Sequence, residues 1–304
     1  MTVRLSRRTA LLAALAVPLA ACGPGYDETP DPLAPLLAAA DADAAAARAL
    51  ASGKDAEAAG QLADARAAHA AALKSEVDRL NRPKDTTSAS PPAKPGALGD
   101  FKARLADARK QAEGLVPGLP RYRAGLVAAV AAGCAALQRT APALGPGDEA
   151  GAVTAPQGTF APDAVDPLQQ ALAAEHAAIW VYGLVSAYLP GEFGDAEKAG
   201  MAEHTTRREL CQTLITGAGG TPVSADAAYV AKTPVTDAGS AAKLVATAEA
   251  DCASAWLGII THTDDTGLRA MALNALMAAS RRGTPWRAEA GEKPVAIAMP
   301  GQTS

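Results

Sequence analysis

A chain of 304 residues with a formal net charge of -4 is long enough for two modest domains and is no electrostatic match for nucleic acid. Hydrophobic residues make up 49% but aromatics only 4%, and much of the apolar share is alanine, so each helix buries little area and several must share a core. There is no CxxC, CxxCH, GxSxG or glycine-rich phosphate loop, and no internal stretch approaches the roughly 20 apolar residues that cross a bilayer.

Residues 1–22 read as an export signal. Arg4, Arg7 and Arg8 form a basic start, and Thr9 to Ala21 form a short apolar run. Leu19-Ala20-Ala21-Cys22 then matches the lipobox of bacterial lipoproteins. Small residues let the signal peptidase close on the chain, and the Cys22 sulfur takes the diacylglycerol. The expected mature protein starts at Cys22 and is lipid-anchored to the outer face of the cytoplasmic membrane. The competing reading is an ordinary secretory signal with a chance cysteine. Ser6-Arg7-Arg8-Thr9-Ala10-Leu11 also resembles a twin-arginine motif, with Ala10 where an aromatic often stands, so Sec and twin-arginine export fit equally.

Residues 23–35, with four prolines, are expected to be a spacer. Alanine-rich runs broken at Ser52-Gly53, Arg82-Pro83 and Val116-Pro117-Gly118 predict helices near 33–51, 54–81, 98–115 and 119–141. These form an N-terminal bundle over 36–141. A Gly- and Pro-rich linker, 142–164, follows. The C-terminal half predicts helices near 165–188, 194–216, 238–262 and 265–282, with Asp166 as N-cap and Pro167 in the first turn of the first. Two short hairpins joined by one long link, 217–237, make a ferritin-like four-helix bundle over 165–286. A tail, 287–304, closes the chain, and Trp286 is apolar enough to dock back. The expected fold class is all-α.

The clearest amphipathic helix is LQQALAAEHAAIWVYGLVSAY, where Leu168, Leu172, Glu175, Ile179 and Tyr182 recur at steps of three and four. An acid on that stripe faces a core and needs a partner. Glu203 and Glu249 stand near the stripes of the next two helices, with His176 and His204 beside the first two acids. A di-iron site needs Glu-x-x-His pairs. The third residue after each acid is instead Ala178, Thr206 or Cys252, and the fourth helix, beyond Asp265 at its start, carries neither acid nor histidine, so that site is excluded by count. The reading preferred is an arginine, Arg207 or Arg208, reaching Glu175 or Glu249 and fixing helix register. The alternative is one iron, zinc or manganese ion at Glu175, His176, Glu203, His204 and Glu249. No cofactor is otherwise expected. His69 and His262 read as structural or exposed, and Met201, Met271 and Met277 as core filler. An exported compartment permits disulfides, and Cys211–Cys252 is the preferred pair, leaving Cys134 as a buried thiol.

The runs LQQALAAEHAAIWVYGLV, AEHTTRRELCQTLITGAGGTPVSADAAYV, TPVTDAGSAAKLVATAEADCASAW and RRGTPWR together resemble a ferritin-like domain-of-unknown-function family found in actinobacterial lipoproteins. The resemblance spans about 165–301 and rests on Glu175-His176, Tyr182-Gly183, His204 with Arg207-Arg208, Pro222, Tyr229, Pro234-Val235-Thr236, Glu249, Cys252 and Trp286-Arg287. It implies the fold and no activity. The resulting expectation is a membrane-anchored envelope lipoprotein with a non-enzymatic binding or structural role. Its partners would be the membrane through its lipid and an envelope protein or small ligand, with no nucleic acid. A metal-binding oxidoreductase-like protein and a carrier of a small or lipidic ligand are the alternatives.

Overall fold

The computed structural model describes residues 29–83, 95–146, 156 and 160–302. The export signal with Cys22, part of the spacer and much of the 142–164 linker lie outside them. Eight α-helices and no strands occur among the described residues: α1 Ala34–Ala49, α2 Ala56–Leu80, α3 Phe101–Leu115, α4 Arg121–Leu137, α5 Val165–Val185, α6 Gly194–Gly217, α7 Ala238–His262 and α8 Thr266–Glu289.

Turn chemistry sets most of these ends. Asn81 adopts the left-handed conformation (φ 46°) that stops α2. Asp237 accepts from the Ser240 N–H while Ser240 reaches back to the Asp237 N–H, a capping box that starts α7. Asp265 caps α8 through the Leu268 N–H. The cap expected from Asp166 is not made: α5 begins at Val165, and Asp166 sits in its first turn. The last helix also runs further than the sequence suggests. Gly283 and Pro285 read as breakers, yet α8 continues to Glu289. The lost backbone bond at Pro285 is offset by burial of Trp286, whose ring stacks on Phe193 at 5.4 Å.

The helices pair as α1 with α2, α3 with α4, α5 with α6 and α7 with α8, and α5 also packs along α7. A long crossover, 218–237, separates the last two pairs and is pinned along α5. Gln169 bonds Thr221 O and the Val223 N–H, His176 bonds Val223 O, and Trp180 meets Tyr229 at 5.6 Å. α4 is apolar on every side (GLVAAVAAGCAAL) and is buried on every side, with α3 against it and α7 and α8 beyond. One connected apolar core draws on all eight helices.

By length and composition α7 is apolar enough to cross a membrane, contrary to the sequence reading. Its apolar face is instead covered by α5 and α8. Arg269, at the start of α8, donates to the carbonyls of Pro117 (3.0 Å) and Leu119 (2.7 Å), tying α8 to the turn between α3 and α4.

Residues beyond α8 fold back over the first half of the chain. Val295 N–H donates to Gln61, Lys293 pairs with Glu57, and the Ala298 carbonyl accepts from His69 at 2.7 Å. Gly133 on α4 permits that approach. A Cβ there would lie 2.0 Å from the Ala298 oxygen and 2.5 Å from His69 Nε2. Gly133→Ala is therefore expected to cost about 1–3 kcal/mol or more in urea unfolding. Gly114→Ala, where a Cβ meets nothing within 4 Å, should not destabilise.

Candidate functional site

Four helices converge on a buried polar cluster. α5 contributes Glu175 and Tyr182, seven residues apart on one face. α6 contributes His204. α7 contributes Glu249, Cys252 and Trp256, again at steps of three and four, and α8 contributes Arg282. The side chains of Glu175, His204 and Glu249 are at most 1% exposed. The acid of the sequence stripe, Glu175, thus meets its partners, but they are a histidine and a tryptophan rather than an arginine.

His204 is the hub. Its Nδ1 lies 2.6 Å from Glu175 Oε2 and its Nε2 3.1 Å from Glu249 Oε1. The Trp256 indole N–H donates to Glu175 Oε1 at 2.6 Å. Glu249 Oε1 also accepts from Tyr182 (2.6 Å) and from Arg282 Nε (2.8 Å), while its Oε2 accepts from Arg282 Nη2 (3.0 Å). All four carboxylate oxygens are therefore satisfied, as buried charge requires. Gly200 leaves room for the Tyr182 ring, since a Cβ there would lie 2.4 Å from it.

Burial alone would strip the proton from His204, but the two carboxylates outweigh it and hold its pKa above the ordinary histidine value. Burial likewise opposes charge on Glu249, yet Arg282 and His204 hold its carboxyl well below the usual carboxylate range. Tyr182 is pushed well above its ordinary value by burial and then by Glu249. Burial and Glu175 do the same to the Cys252 thiol.

Several sequence expectations need correcting. Arg207 does not reach Glu175 or Glu249. It bonds Glu203 one turn back at 2.7 Å, and Arg208 bonds Glu209. The arginine that holds Glu249 is Arg282, which also pairs with Glu203. Glu203 lies at the rim, with its side chain 49% exposed. His176 leaves the cluster and fastens the crossover, because successive helical residues point about 100° apart. The Cys211–Cys252 bridge is not formed: Cys134, Cys211 and Cys252 are all buried free thiols. Cys252 Sγ faces the Ala174 carbonyl (3.6 Å) and His204 Nδ1 (4.0 Å) instead. Tyr182, Trp256, Cys252 and Arg282 join the cluster without having been assigned to it. Cys252 and Trp256 could have been found from their spacing behind Glu249.

His69 forms a second buried polar cluster with Asp43 of α1, Arg66 of α2, Arg104 of α3 and Cys134 of α4. His262 is not part of either cluster and bonds Gly258 O within its own helix. Beside Glu249, a cleft of about 20 Å³ between α7, α8 and the returning C-terminal segment has room for about one water. A wider groove of about 310 Å³ runs on the outside, between α5, α7 and the crossover, past Trp180, Tyr229 and Leu244.

An all-helical bundle closed around a Glu–His–Glu hub is the class of protein that fold and site define. The family described as a domain of unknown function, DUF4439, matches residues 167–304, and the chain belongs to it. A solved structure of a conserved hypothetical protein, rv2844, from Mycobacterium tuberculosis is 31% identical over 42% of this chain and 98% of that one, with a TM-score of 0.41. No curated protein matches the chain.

Proposed function

We infer that this protein is an exported, lipid-anchored member of the cell envelope whose ferritin-like C-terminal bundle serves binding or structure rather than turnover. The observation that carries the non-enzymatic part is the closure of the Glu175–His204–Glu249–Arg282 network. Every carboxylate oxygen already has a protein donor, and the cleft beside Glu249 has room for about one water. A substrate-sized molecule finds neither space nor free polar atoms there. Among the described residues, the small size of that cleft also counts against a lipid carried beside the hub. The ferritin-like reading is supported by two helix pairs separated by a long crossover. The anchor rests on the basic start, the apolar run and Leu19-Ala20-Ala21-Cys22.

The anchor has a direct test. Cys22→Ala is expected to shift the protein from the membrane fraction to the soluble exported fraction, with the loss of the lipid visible by mass spectrometry. Retention of the variant on membranes would refute the anchor.

A further inference from the structure

Three potential metal ligands from three helices face one another inside the hub. A carboxylate oxygen of Glu175, a ring nitrogen of His204 and Sγ of Cys252 all lie within 4.8 Å of one another and are buried. This set differs from the one read from the sequence, since it drops His176, Glu203 and Glu249 as ligands and adds a thiol. The surroundings are those of a prepared metal site. His204 Nε2 faces Glu249 Oε1, the carboxylate–histidine arrangement that orients an imidazole so that its other nitrogen can bind a metal. Glu249 is itself fixed by Arg282 and Tyr182. Trp256 holds Glu175 Oε1, which leaves Oε2 turned toward His204.

We propose that Glu175 Oε2, His204 Nδ1 and Cys252 Sγ bind one zinc-class divalent cation that cross-links α5, α6 and α7. The mixed oxygen, nitrogen and sulfur set suits zinc or cobalt and disfavours magnesium and calcium, which take oxygen ligands. The exchange balances in charge. Without metal, one proton lies in the short Glu175–His204 bond and one on the Cys252 thiol. A divalent cation replaces both, so two protons leave as it enters and the buried charge is unchanged. The metal takes the place of the Glu175–His204 hydrogen bond and keeps the register role of the hub. The site is independent of the lipid anchor, which membrane fractionation reads separately.

Cobalt is the probe. Residues 23–304, stripped of metal and kept reduced with a phosphine, are titrated with Co²⁺ in weak buffer. The expected result is one cobalt per chain, a thiolate-to-cobalt charge-transfer band in the near ultraviolet, two protons released per cobalt, and displacement of cobalt by zinc. Cys252→Ser should abolish the band while helicity is retained. The double variant Cys134→Ser/Cys211→Ser, which keeps Cys252 as the remaining thiol, should preserve it. Absence of the band in the parent protein, its loss in the double variant, or its survival in Cys252→Ser would each overturn the proposal. Such failure would leave the closed hydrogen-bonded hub as the account of the site.

Discussion

Replacing Glu249 by glutamine is expected to cost about 3–5 kcal/mol of folding stability, the range found when one partner of a buried ion pair is removed. The side chain is 1% exposed and accepts from three residues on three different helices: Tyr182, His204 and Arg282. Glutamine keeps the shape but turns two hydrogen-accepting oxygens into one acceptor and one donor. The amide hydrogens then confront Arg282 or the hub, and the Arg282 charge loses its paired anion on α7. The comparison variant is Arg207→Ala. Its partner Glu203 is half exposed, so that pair is worth under about 1 kcal/mol. Urea unfolding followed by circular dichroism decides between them. A small loss in Glu249→Gln with a large one in Arg207→Ala would return the role to Arg207 and refute the geometry described above.

The second large effect concerns acid. His69 is fully buried, receives a hydrogen bond from Arg66 at Nδ1 (3.0 Å) and donates from Nε2 to Ala298 O (2.7 Å). Burial first, and the Arg66 charge second, push its pKa down to about 3. The unfolded histidine titrates near 6.5. Between those values the unfolded chain binds a proton that the folded chain does not. The contribution of His69 to stability is thus complete above about pH 6.5 and falls as pH drops toward 3, by about 5 kcal/mol in all. His69→Gln removes this titration. The stability difference between parent and variant should shrink by about 3 kcal/mol from pH 7 to pH 4. Glu249, with its lowered pKa, also loses stabilisation in acid, but it does so in both proteins and cancels. A difference that stays constant with pH would show that His69 is not held neutral.

Particular residues show how far the sequence could be read. Glycine and proline punctuation separated most of the helices, because those residues act on the backbone locally, although α7 and α8 meet at Thr263-Asp264-Asp265, which has neither. Glu175 was found because an acid breaks an apolar stripe. What failed was adjacency. Glu175 and His176, like Glu203 and His204, look like paired ligands in the sequence, yet a helix turns neighbours about 100° apart and admits one of each pair to the core. Arg282 was missed because it precedes Gly283 and Pro285, which locally signal an end. Tertiary burial of Trp286 overrode that signal. The polar partners of α2 were out of reach for a different reason: Asp43, Cys134 and Ala298 are joined to it only by packing.

The bond between His69 and Ala298 spans 229 positions in the chain. A polypeptide emerges from the ribosome, or from an export channel, with its N-terminus first. α1 to α4 are therefore complete long before the carbonyl that His69 requires has appeared. Until then His69 must keep water as its acceptor, and the small-residue surface at Gly133 stays uncovered. Residues 290–302, which contact α2, are among the last to emerge, so this contact cannot form until nearly the whole chain is available.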